Sequence, residues 1–381
     1  VFQHETMPVS GAPLRVGLVS GDLRQHPVGY FLDNVVAAID PAILELYAYS
    51  THDADDALSA RLRTHFAKWT SLSRLSDREA AQQIYADGIQ VLIDLSGHTA
   101  YSRLPMFAWR PAPLQISWLG YFATTGMDEI DYLLADPHVV PPAEEDHFCE
   151  TVWRLPETYL CFTPPESSLE TKSLPALSHG AITFGCFNNL NKVNDRVLQV
   201  WATILRALPT ARLLLKTALL DDEATRTRLR QCFGELGVGS ERLLLAGHSP
   251  RSELLATYHQ VDIALDPFPY PGGTTSVEAL WMGVPVITRR GNRFLSHVGE
   301  TIAVNAGLSD WIADDDQQYV AQALARAGDL DALAALRSRL RSQLLASPLF
   351  DAERFARHFA AALHDMWRVR QCGQTGMRTA A

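Results

Sequence analysis

The stretch Asp262-Ile-Ala-Leu-Asp-Pro-Phe-Pro-Tyr-Pro-Gly-Gly-Thr-Thr-Ser-Val-Glu-Ala-Leu-Trp-Met-Gly-Val-Pro-Val-Ile-Thr288 contains one complete strand–loop–helix–strand unit. An apolar strand ends at Asp266, a loop rich in Pro and Gly follows, a helix begins near Thr275, and a second apolar strand starts at Val284. Near-continuous apolar strands on either side of a helix are typical of a parallel sheet that is covered on both faces. The stretch therefore predicts an α/β fold of the doubly wound kind.

The same alternation of apolar strands and amphipathic helical stretches extends along the chain in two series. The first series, from about residue 15 to 160, has predicted strands at 15–20, 46–50, 91–95 and 115–119. The second series, from about residue 181 to 345, has predicted strands at 182–186, 212–216, 242–246, 262–265 and 284–288. Residues 163–180 are rich in Pro, Ser and Glu and indicate a linker. Two such units are expected to leave a cleft at the carboxyl ends of their strands, where open α/β sheets bind ligands.

The composition is that of an ordinary globular protein. The length of 381 residues suggests two domains, and 47% apolar with 20% charged residues is sufficient for a sizeable core. The net charge of −10 argues against a nucleic-acid partner, and no apolar run is long enough to cross a membrane. The five scattered cysteines have neither disulfide nor metal spacing, so the expected location is cytoplasmic. The chain begins with Val1 instead of Met, which is consistent with a longer natural protein.

The loop before the predicted helix has the features of an anion site. Gly272 and Gly273 allow a ligand to approach the backbone closely, and the free N–H groups and dipole of a helix N-terminus favour a phosphate. Thr274 and Thr275 add hydroxyl donors, and Glu278 is a candidate acceptor for a ribose diol. The structural alternative is a capping box, because Thr275-Ser-Val-Glu278 has the required spacing. The sequence contains no Gly-x-x-x-x-Gly-Lys-Ser/Thr pattern, which excludes a P-loop NTPase.

Two further polar loops follow predicted strands. Lys192 lies at a strand-to-helix junction, where a lysine can act as a point charge on a diphosphate; the alternative is a solvated surface lysine. His26 follows the first strand and could take a proton from an attacking hydroxyl, or could only order its own loop against Asp22. His98 occupies the equivalent place after another strand of the first series and has the same two interpretations.

These loops, in this order, are more specific together than any one of them alone. The sequence resembles the catalytic region of the nucleocytoplasmic O-GlcNAc transferases and the related SPINDLY-type O-fucosyltransferases, which form glycosyltransferase family 41. The resemblance covers about residues 15–350. It is carried by Arg110-Pro-Ala-Pro-Leu-Gln-Ile-Ser-Trp-Leu-Gly-Tyr121, Phe187-Asn-Asn-Leu-Asn-Lys192, Gly273-Thr-Thr275 and His26-Pro.

The resemblance implies the GT-B fold, in which two Rossmann-like doubly wound domains face each other across a cleft. With it, we expect a tail at 1–13, an N-terminal Rossmann-like domain on the acceptor side at 14–165, a linker at 166–180, a C-terminal Rossmann-like nucleotide-sugar-binding domain at 181–348, a C-terminal helix at 349–370 and a second tail at 371–381.

The resemblance also implies an inverting, metal-independent transfer of a sugar from a nucleotide-sugar to Ser/Thr hydroxyls of a protein or peptide, without a cofactor. Carried over by position, Lys192 would neutralise the leaving diphosphate, and His26 would be a base or a group that positions the acceptor. Nucleotide and phosphate contacts would come from Asn189, Arg251, Gly273, Thr274, Thr275 and Glu278. The sugar pocket would be lined by His98, Thr99, Leu119, Gly120 and Tyr121.

Departures from the family pattern leave the donor open. Gly273 stands where O-GlcNAc transferases have a histidine, and Leu254 and Thr257 stand where the nucleobase region has a histidine and a second arginine. UDP-GlcNAc is the first expectation, with GDP-fucose and UDP-glucose as alternatives. A GT-B sugar-nucleotide epimerase and a nucleotide-sugar-binding protein without turnover are further alternatives. The tetratricopeptide repeats that commonly precede this region in the family are not in this sequence.

Overall fold

The computed structural model describes residues 1–4, 12–53, 55–165 and 169–378, and side chains as far as residue 372. The chain divides into two compact units. The first unit comprises Val1–Thr163 and Phe350–Ala381, and the second comprises Pro164–Leu349.

The first unit is built on a seven-stranded parallel sheet. Its strands are β1 (Leu14–Ser20), β2 (Leu44–Ser50), β3 (Lys68–Ser71), β4 (Val91–Asp94), β5 (Leu114–Ser117), β6 (Tyr132–Ala135) and β7 (Thr151–Arg154). The order across the sheet is β3-β2-β1-β4-β5-β6-β7. The helices are α1 (Pro27–Ala38), α2 (Ala57–Arg63), α3 (Asp77–Ala86) and α4 (Leu104–Phe107), and a later helix returns to this unit from the end of the chain.

The second unit has a six-stranded parallel sheet in the order β10-β9-β8-β11-β12-β13. Its strands are β8 (Thr183–Cys186), β9 (Arg212–Lys216), β10 (Leu243–Ala246), β11 (Ile263–Leu265), β12 (Val286–Arg289) and β13 (Ile312–Ala313). Its helices are α5 (Ala176–His179), α6 (Asp195–Ala207), α7 (Glu223–Glu235), α8 (Arg251–Thr257), α9 (Thr274–Trp281), α10 (Phe294–Asn305), α11 (Asp316–Gly328) and α12 (Leu330–Leu345).

Both sheets are doubly wound, because the strand order reverses direction within each of them. In the first sheet the reversal lies between β1 and β4, and in the second it lies between β8 and β11. Every residue of β4, β5 and β8 is buried, which is why these strands appear in the sequence as continuous apolar runs. Loops that leave the carboxyl ends of strands on the two sides of a reversal diverge and leave a crevice for a ligand. Each unit therefore has one such crevice.

The C-terminal helix corrects two of the predicted boundaries. Helix α13 (Ala352–Arg378) continues through most of the segment that we expected to be a tail at 371–381. It is also part of the first unit: Trp118 lies 4.9 Å, between ring centroids, from Phe359 and 5.9 Å from Phe355. The helix predicted as a separate segment at 349–370 therefore completes the core of the N-terminal domain. Residues 379–381 lie outside the described part.

The expected tail at 1–13 and linker at 166–180 also differ in detail. The Phe2 ring stacks on Tyr85 at 4.5 Å, so the described start of the chain packs on the first unit. The far end of the linker belongs to the second unit, because buried Asp262 accepts hydrogen bonds from the N–H groups of Ala176 and Thr183. Residues 5–11 and 166–168 lie outside the described residues. Within the described part of the chain, no helix is long and apolar enough to cross a membrane.

Candidate functional site

Lys192 lies at the crevice of the second sheet, in a short 3₁₀ turn that follows β8. Its Nζ donates to the carbonyl oxygen of Pro271 at 2.9 Å and to Asn188 Oδ1 at 3.2 Å, and it lies 3.8 Å from the centroid of the Tyr270 ring. Burial lowers the pKa of Lys192 to about 8, although Asp266 nearby acts in the opposite direction. The interpretation as a solvated surface lysine is therefore wrong.

The N-terminus of α9 lies close to Lys192. The helix follows β11, and Lys192 follows β8, so the two come from opposite sides of the point where the strand order reverses. The Thr275 hydroxyl donates to Asn188 Oδ1 at 3.0 Å, so the same oxygen receives bonds from Lys192 and from the first turn of α9. Gly272 is required here, because a Cβ at this position would lie 2.1 Å from Ser276 Oγ. Thr274, the first residue of the helix, is half-buried. This arrangement combines a cation, a hydroxyl and the positive end of a helix dipole, which is suitable for a diphosphate.

Glu278 does not cap α9. The helix begins after Gly273, which has no side chain to cap it, and the Glu278 carboxylate instead pairs with Arg251 at the start of α8. Arg251 Nη2 and Nε both donate to Glu278 Oε1, at 2.8 and 3.0 Å. Burial raises the pKa of Glu278, and the charge of Arg251 acts against that shift. The capping-box interpretation is therefore wrong, and Arg251 contacts the carboxylate that we expected at the ribose.

Three residues that the sequence did not indicate complete this site. Asn188 joins Lys192 to Thr275, and buried Asp266 accepts hydrogen bonds from Gly272 N at 3.1 Å and Ser276 Oγ at 2.8 Å. The Tyr258 hydroxyl donates to the Thr275 carbonyl oxygen at 2.9 Å. Burial raises the pKa of Asp266, while its hydrogen bonds and Lys192 act to lower it. The only sequence signal for Asp266 was its position at the end of a buried strand.

Asn189, which we expected at the nucleotide, is exposed in this structure. Its Oδ1 accepts a hydrogen bond from Asn191 N at 2.9 Å and so caps the 3₁₀ turn that carries Lys192. The structure thus gives the two adjacent asparagines different tasks: Asn188 points into the site and Asn189 shapes the turn.

His26 is the N-cap of α1 in the first unit. Its Nδ1 accepts from Val28 N at 3.3 Å and lies 3.6 Å from Asp22 Oδ2, so it orders its own loop as the structural interpretation proposed. Burial lowers the pKa of His26, and Asp22 opposes this shift. When the ring is neutral, an Nδ1 that accepts this bond leaves the proton on Nε2. The geometry therefore makes the outer nitrogen of His26 a hydrogen-bond donor.

The two loops that carry the five residues predicted for a sugar pocket pack against each other in the first unit. The loops after β4 and β5 interlock closely: a Cβ on Gly120 would lie 1.8 Å from the Leu95 carbonyl oxygen. The His98 ring packs edge-on against Tyr121 at 5.4 Å, and Thr99 Oγ1 donates to the Ser96 carbonyl oxygen. Leu119 adopts φ +75°, a left-handed conformation that is rare for a branched residue. Strained backbone of this kind is frequent in ligand-binding loops.

The loop of His98 is anchored by a buried carboxylate. Asp94, at the end of β4, accepts from Gly97 N at 2.7 Å and from Ser96 N at 3.3 Å. Burial raises its pKa to about 6. We did not predict Asp94 as a site residue, and the structure gives it the task of holding the loop. Among the described residues, no group of three His, Cys, Asp or Glu side chains could hold a metal ion.

Two doubly wound α/β domains in one chain are characteristic of the GT-B fold. The chain belongs to glycosyl transferase family 41, whose model matches residues 1–163 and 162–359. The predicted GT-B fold and the predicted family are thus confirmed.

Similar proteins are known in bacteria and plants. A mutant form of an O-GlcNAc transferase of Thermobaculum terrenum is 41% identical, with a TM-score of 0.91, over 97% of this chain and 69% of that one. HepE of Anabaena, solved with UDP, shares the fold at 13% identity with a TM-score of 0.61, over 92% of this chain and 100% of that one.

A curated plant relative is the probable UDP-N-acetylglucosamine–peptide N-acetylglucosaminyltransferase SPINDLY of Petunia hybrida. It is 36% identical over 364 residues, which make up 93% of this chain and 39% of the relative. The chain thus spans about two fifths of the length of the curated relatives that it matches.

Proposed function

We propose that this protein is an inverting, metal-independent glycosyltransferase that moves GlcNAc from UDP-GlcNAc to Ser/Thr hydroxyls of proteins. The observation that carries the proposal is the meeting of the Lys192 ammonium and the Thr275 hydroxyl on one oxygen at the N-terminus of α9. The names of the Thermobaculum and Petunia relatives support GlcNAc as the transferred sugar, and that of the Petunia relative supports UDP-GlcNAc as the donor and a peptide as the acceptor.

In the proposed reaction the second unit stabilises the leaving group. Negative charge develops on the diphosphate only as the bond to the sugar breaks, so donors that are already in place lower the barrier selectively. Lys192 supplies a full positive charge, and Thr274, Thr275 and the first N–H groups of α9 supply hydrogen bonds and the helix dipole. These groups perform the task that a divalent cation performs in other transferases, so the proposed mechanism does not need one.

The remaining groups would orient the two substrates. Glu278 would accept from the ribose hydroxyls, with Arg251 keeping its carboxylate ionised. The loops of His98, Thr99 and Leu119-Gly120-Tyr121 would enclose the transferred sugar. His26 would donate a hydrogen bond from Nε2 and so position the acceptor, because its Nδ1 already accepts from the backbone of α1. As the hydroxyl oxygen bonds to the sugar and the bond to the diphosphate breaks, the hydroxyl proton would pass to an oxygen of the departing diphosphate.

The donor and the location remain part of the proposal. GDP-fucose and UDP-glucose are the alternative donors, and UDP-GlcNAc ranks above them because the Petunia relative carries it in its name. A cytoplasmic location fits the five cysteines, all of which are unpaired, because a reducing compartment keeps thiols free.

A two-stage experiment tests this function. Calorimetry with UDP and GDP is expected to show binding of UDP and much weaker binding of GDP. Incubation with labelled UDP-GlcNAc is then expected to release UDP slowly alone and to label proteins when a cell lysate is added. Isomerisation of the free UDP-sugar would instead indicate an epimerase, and tight binding without turnover would indicate a binding protein. Preference for GDP would reject UDP-GlcNAc as the donor.

A further inference from the structure

Asn188 accepts hydrogen bonds from two donors of the second crevice, and the proposed function gives it no task. Its side chain is buried, and Oδ1 accepts from both Lys192 Nζ and Thr275 Oγ1. An amide oxygen has two lone pairs, so these two bonds use its full capacity. The two donors that should face a diphosphate are thus held together by one neutral oxygen.

The neighbouring contacts fix Asn188 and Thr275 against each other. Phe187, the preceding residue, stacks on the Tyr258 ring at 4.1 Å between ring centroids. The Tyr258 hydroxyl donates to the carbonyl oxygen of Thr275 at 2.9 Å. The loop after β8 is therefore tied to the first turn of α9 through both of its first two residues. These contacts, of Phe187 with Tyr258 and of Tyr258 with Thr275, hold Asn188 Oδ1 in place when no ligand is bound.

We propose that Asn188 is a positioning residue whose neutral oxygen stands in for a diphosphate oxygen and holds Lys192 and Thr275 at the spacing that the diphosphate requires. The inference rests on the proposed function and adds to it a specific exchange: the incoming diphosphate takes over the bonds that Asn188 receives. The spacing is set in advance, so less ordering is required on binding.

The proposed exchange requires that the Asn188 side chain is neutral. A bond from an ammonium group to an amide oxygen is weaker than an ion pair, so a doubly charged diphosphate can displace it. A carboxylate of the same shape would bind Lys192 tightly and repel the diphosphate. Other ionisable groups also lie near Lys192, namely Asp266 just after β11, Cys186 at the end of β8, and Tyr270, whose ring lies against the ammonium group. They are identical in every variant, so a comparison of variants isolates the charge at residue 188.

The test is calorimetry with UDP on the full chain, comparing wild type with Asn188→Asp, Asn188→Ala and a control, Asn191→Asp. Asn191 is exposed in the 3₁₀ turn that carries Lys192, so its variant adds the same charge nearby at a position in contact with water. We expect Asn188→Asp to weaken UDP binding by about 10- to 100-fold at pH 7.5 and Asn188→Ala by about 3- to 10-fold. We expect Asn191→Asp to change binding by less than about 3-fold.

The pH profile separates positioning from a merely structural effect. In wild type, UDP affinity should fall as the pH rises through about 8, where Lys192 loses its proton. In Asn188→Asp, the added carboxylate holds that proton more strongly, so the fall should move to higher pH even though binding at neutral pH is weaker. A loosened loop would weaken binding without that displacement.

Two results would overturn this inference and leave the proposed function standing. One is wild-type UDP affinity in Asn188→Asp, and the other is weaker affinity in that variant with the pH dependence of UDP binding unchanged. Absence of UDP binding by the wild type would reject the proposed function itself, and the inference with it. A melting temperature measured for each variant shows whether any loss of affinity follows from unfolding.

Discussion

The Lys192 ammonium group is contacted by a carbonyl oxygen, an amide oxygen and an aromatic ring, all of them neutral. Such an environment leaves most of its positive charge available to a ligand. It also explains the lowered pKa, because burial removes water and the contacts replace it incompletely. A purely structural lysine would be expected to pair with a carboxylate, as Lys68 does with Asp87.

Replacement of Lys192 tests this argument directly. Lys192→Ala should lower kcat by about 10²- to 10³-fold, because the charge it neutralises exists mainly in the transition state. The melting temperature should change little, since burial of the ammonium group does not favour the folded protein. Lys172→Ala, at an exposed lysine of the same unit, is the matched control. Wild-type turnover in Lys192→Ala would mean that the lysine does not act on the leaving group.

Glu278 provides a second test at the residue scale. Two of the three side-chain nitrogens of Arg251, Nε and Nη2, donate to Glu278 Oε1. We expect Glu278→Gln to weaken UDP binding by about 10-fold, because an amide presents a weaker acceptor to ribose and no longer matches Arg251. Loss of the partly buried ion pair should also lower the free energy of unfolding by about 2 kcal/mol.

The control for Glu278→Gln is Glu253→Gln, which removes the same charge from an exposed position on α8. Titration with 2′-deoxy-UDP adds the decisive comparison. Wild type should prefer UDP over the deoxy analogue, and Glu278→Gln should lose that preference. If the variant still prefers UDP to the same degree, Glu278 does not contact the 2′-hydroxyl.

At the scale of elements, the turn before α9 depends on one glycine more than on its neighbour. A Cβ on Gly272 would lie 2.1 Å from Ser276 Oγ and 2.7 Å from Thr275 Oγ1, whereas a Cβ on Gly273 meets nothing closer than Val298 Cγ1 at 3.9 Å. Gly272→Ala should therefore lower the free energy of unfolding by about 2 kcal/mol. Gly273→Ala should lower it by about 1 kcal/mol, because the added Cβ meets no close atom and the main cost is that of alanine in place of glycine at an N-cap.

Chemical denaturation of the two alanine variants side by side measures this difference. The two substitutions add the same methyl group at adjacent positions, so each serves as the control for the other. Equal losses of stability would show that the turn adapts to a side chain at Gly272, and the tight packing of the anion site would then not be a constraint on the sequence.

The sequence predicted those elements whose burial is uniform along their length. Strands β1, β4, β8 and β9 are buried at nearly every position and were found within one or two residues. Four strands were missed: β6, a four-residue strand inside the first sheet, and three of the four edge strands, namely β3 and β7, which have exposed or half-buried residues, and β13, which has two residues. Such edge strands lack a continuous apolar run because water or a loop covers one side of them. Helix α13 was found, but its polar end gave no signal of where it stops.

The sequence predicted a site residue only where the charge or hydroxyl group of its side chain was enough to single it out. Lysine, threonine and glutamate at loop positions were found by their charge or hydroxyl group, and the structure brings Lys192 and Thr275 to a common partner. Which of two adjacent asparagines faces inward depends on the turn that follows β8, and the sequence does not encode this in a readable pattern. The helix start was misplaced by one residue for the same reason, because Gly273 has no capping group to reveal it.

For the molecule as a whole, the net charge is negative, whereas the groups presented at the crevice of the second sheet are positive. The chain carries 43 acidic and 33 basic residues, yet the crevice of the second sheet presents an ammonium group and the positive end of a helix. The positive potential is therefore local and arises from where the sheet reverses direction. This is consistent with selection for a small anionic substrate over a nucleic acid, because the latter requires an extended basic surface.

The same local charge leads to a prediction for the whole enzyme: transfer should not depend on a divalent cation. In the proposed mechanism, Lys192 and the α9 N-terminus provide what a metal ion would provide to the diphosphate, so saturating EDTA should leave the rate of sugar transfer within about 2-fold of the untreated rate. The measurement is transfer of labelled sugar to lysate protein by enzyme dialysed against EDTA. A metal-dependent transferase assayed in parallel serves as the positive control. If activity disappears in EDTA and returns with Mg²⁺ or Mn²⁺, the charge on Lys192 is not sufficient and the leaving group departs as a metal complex.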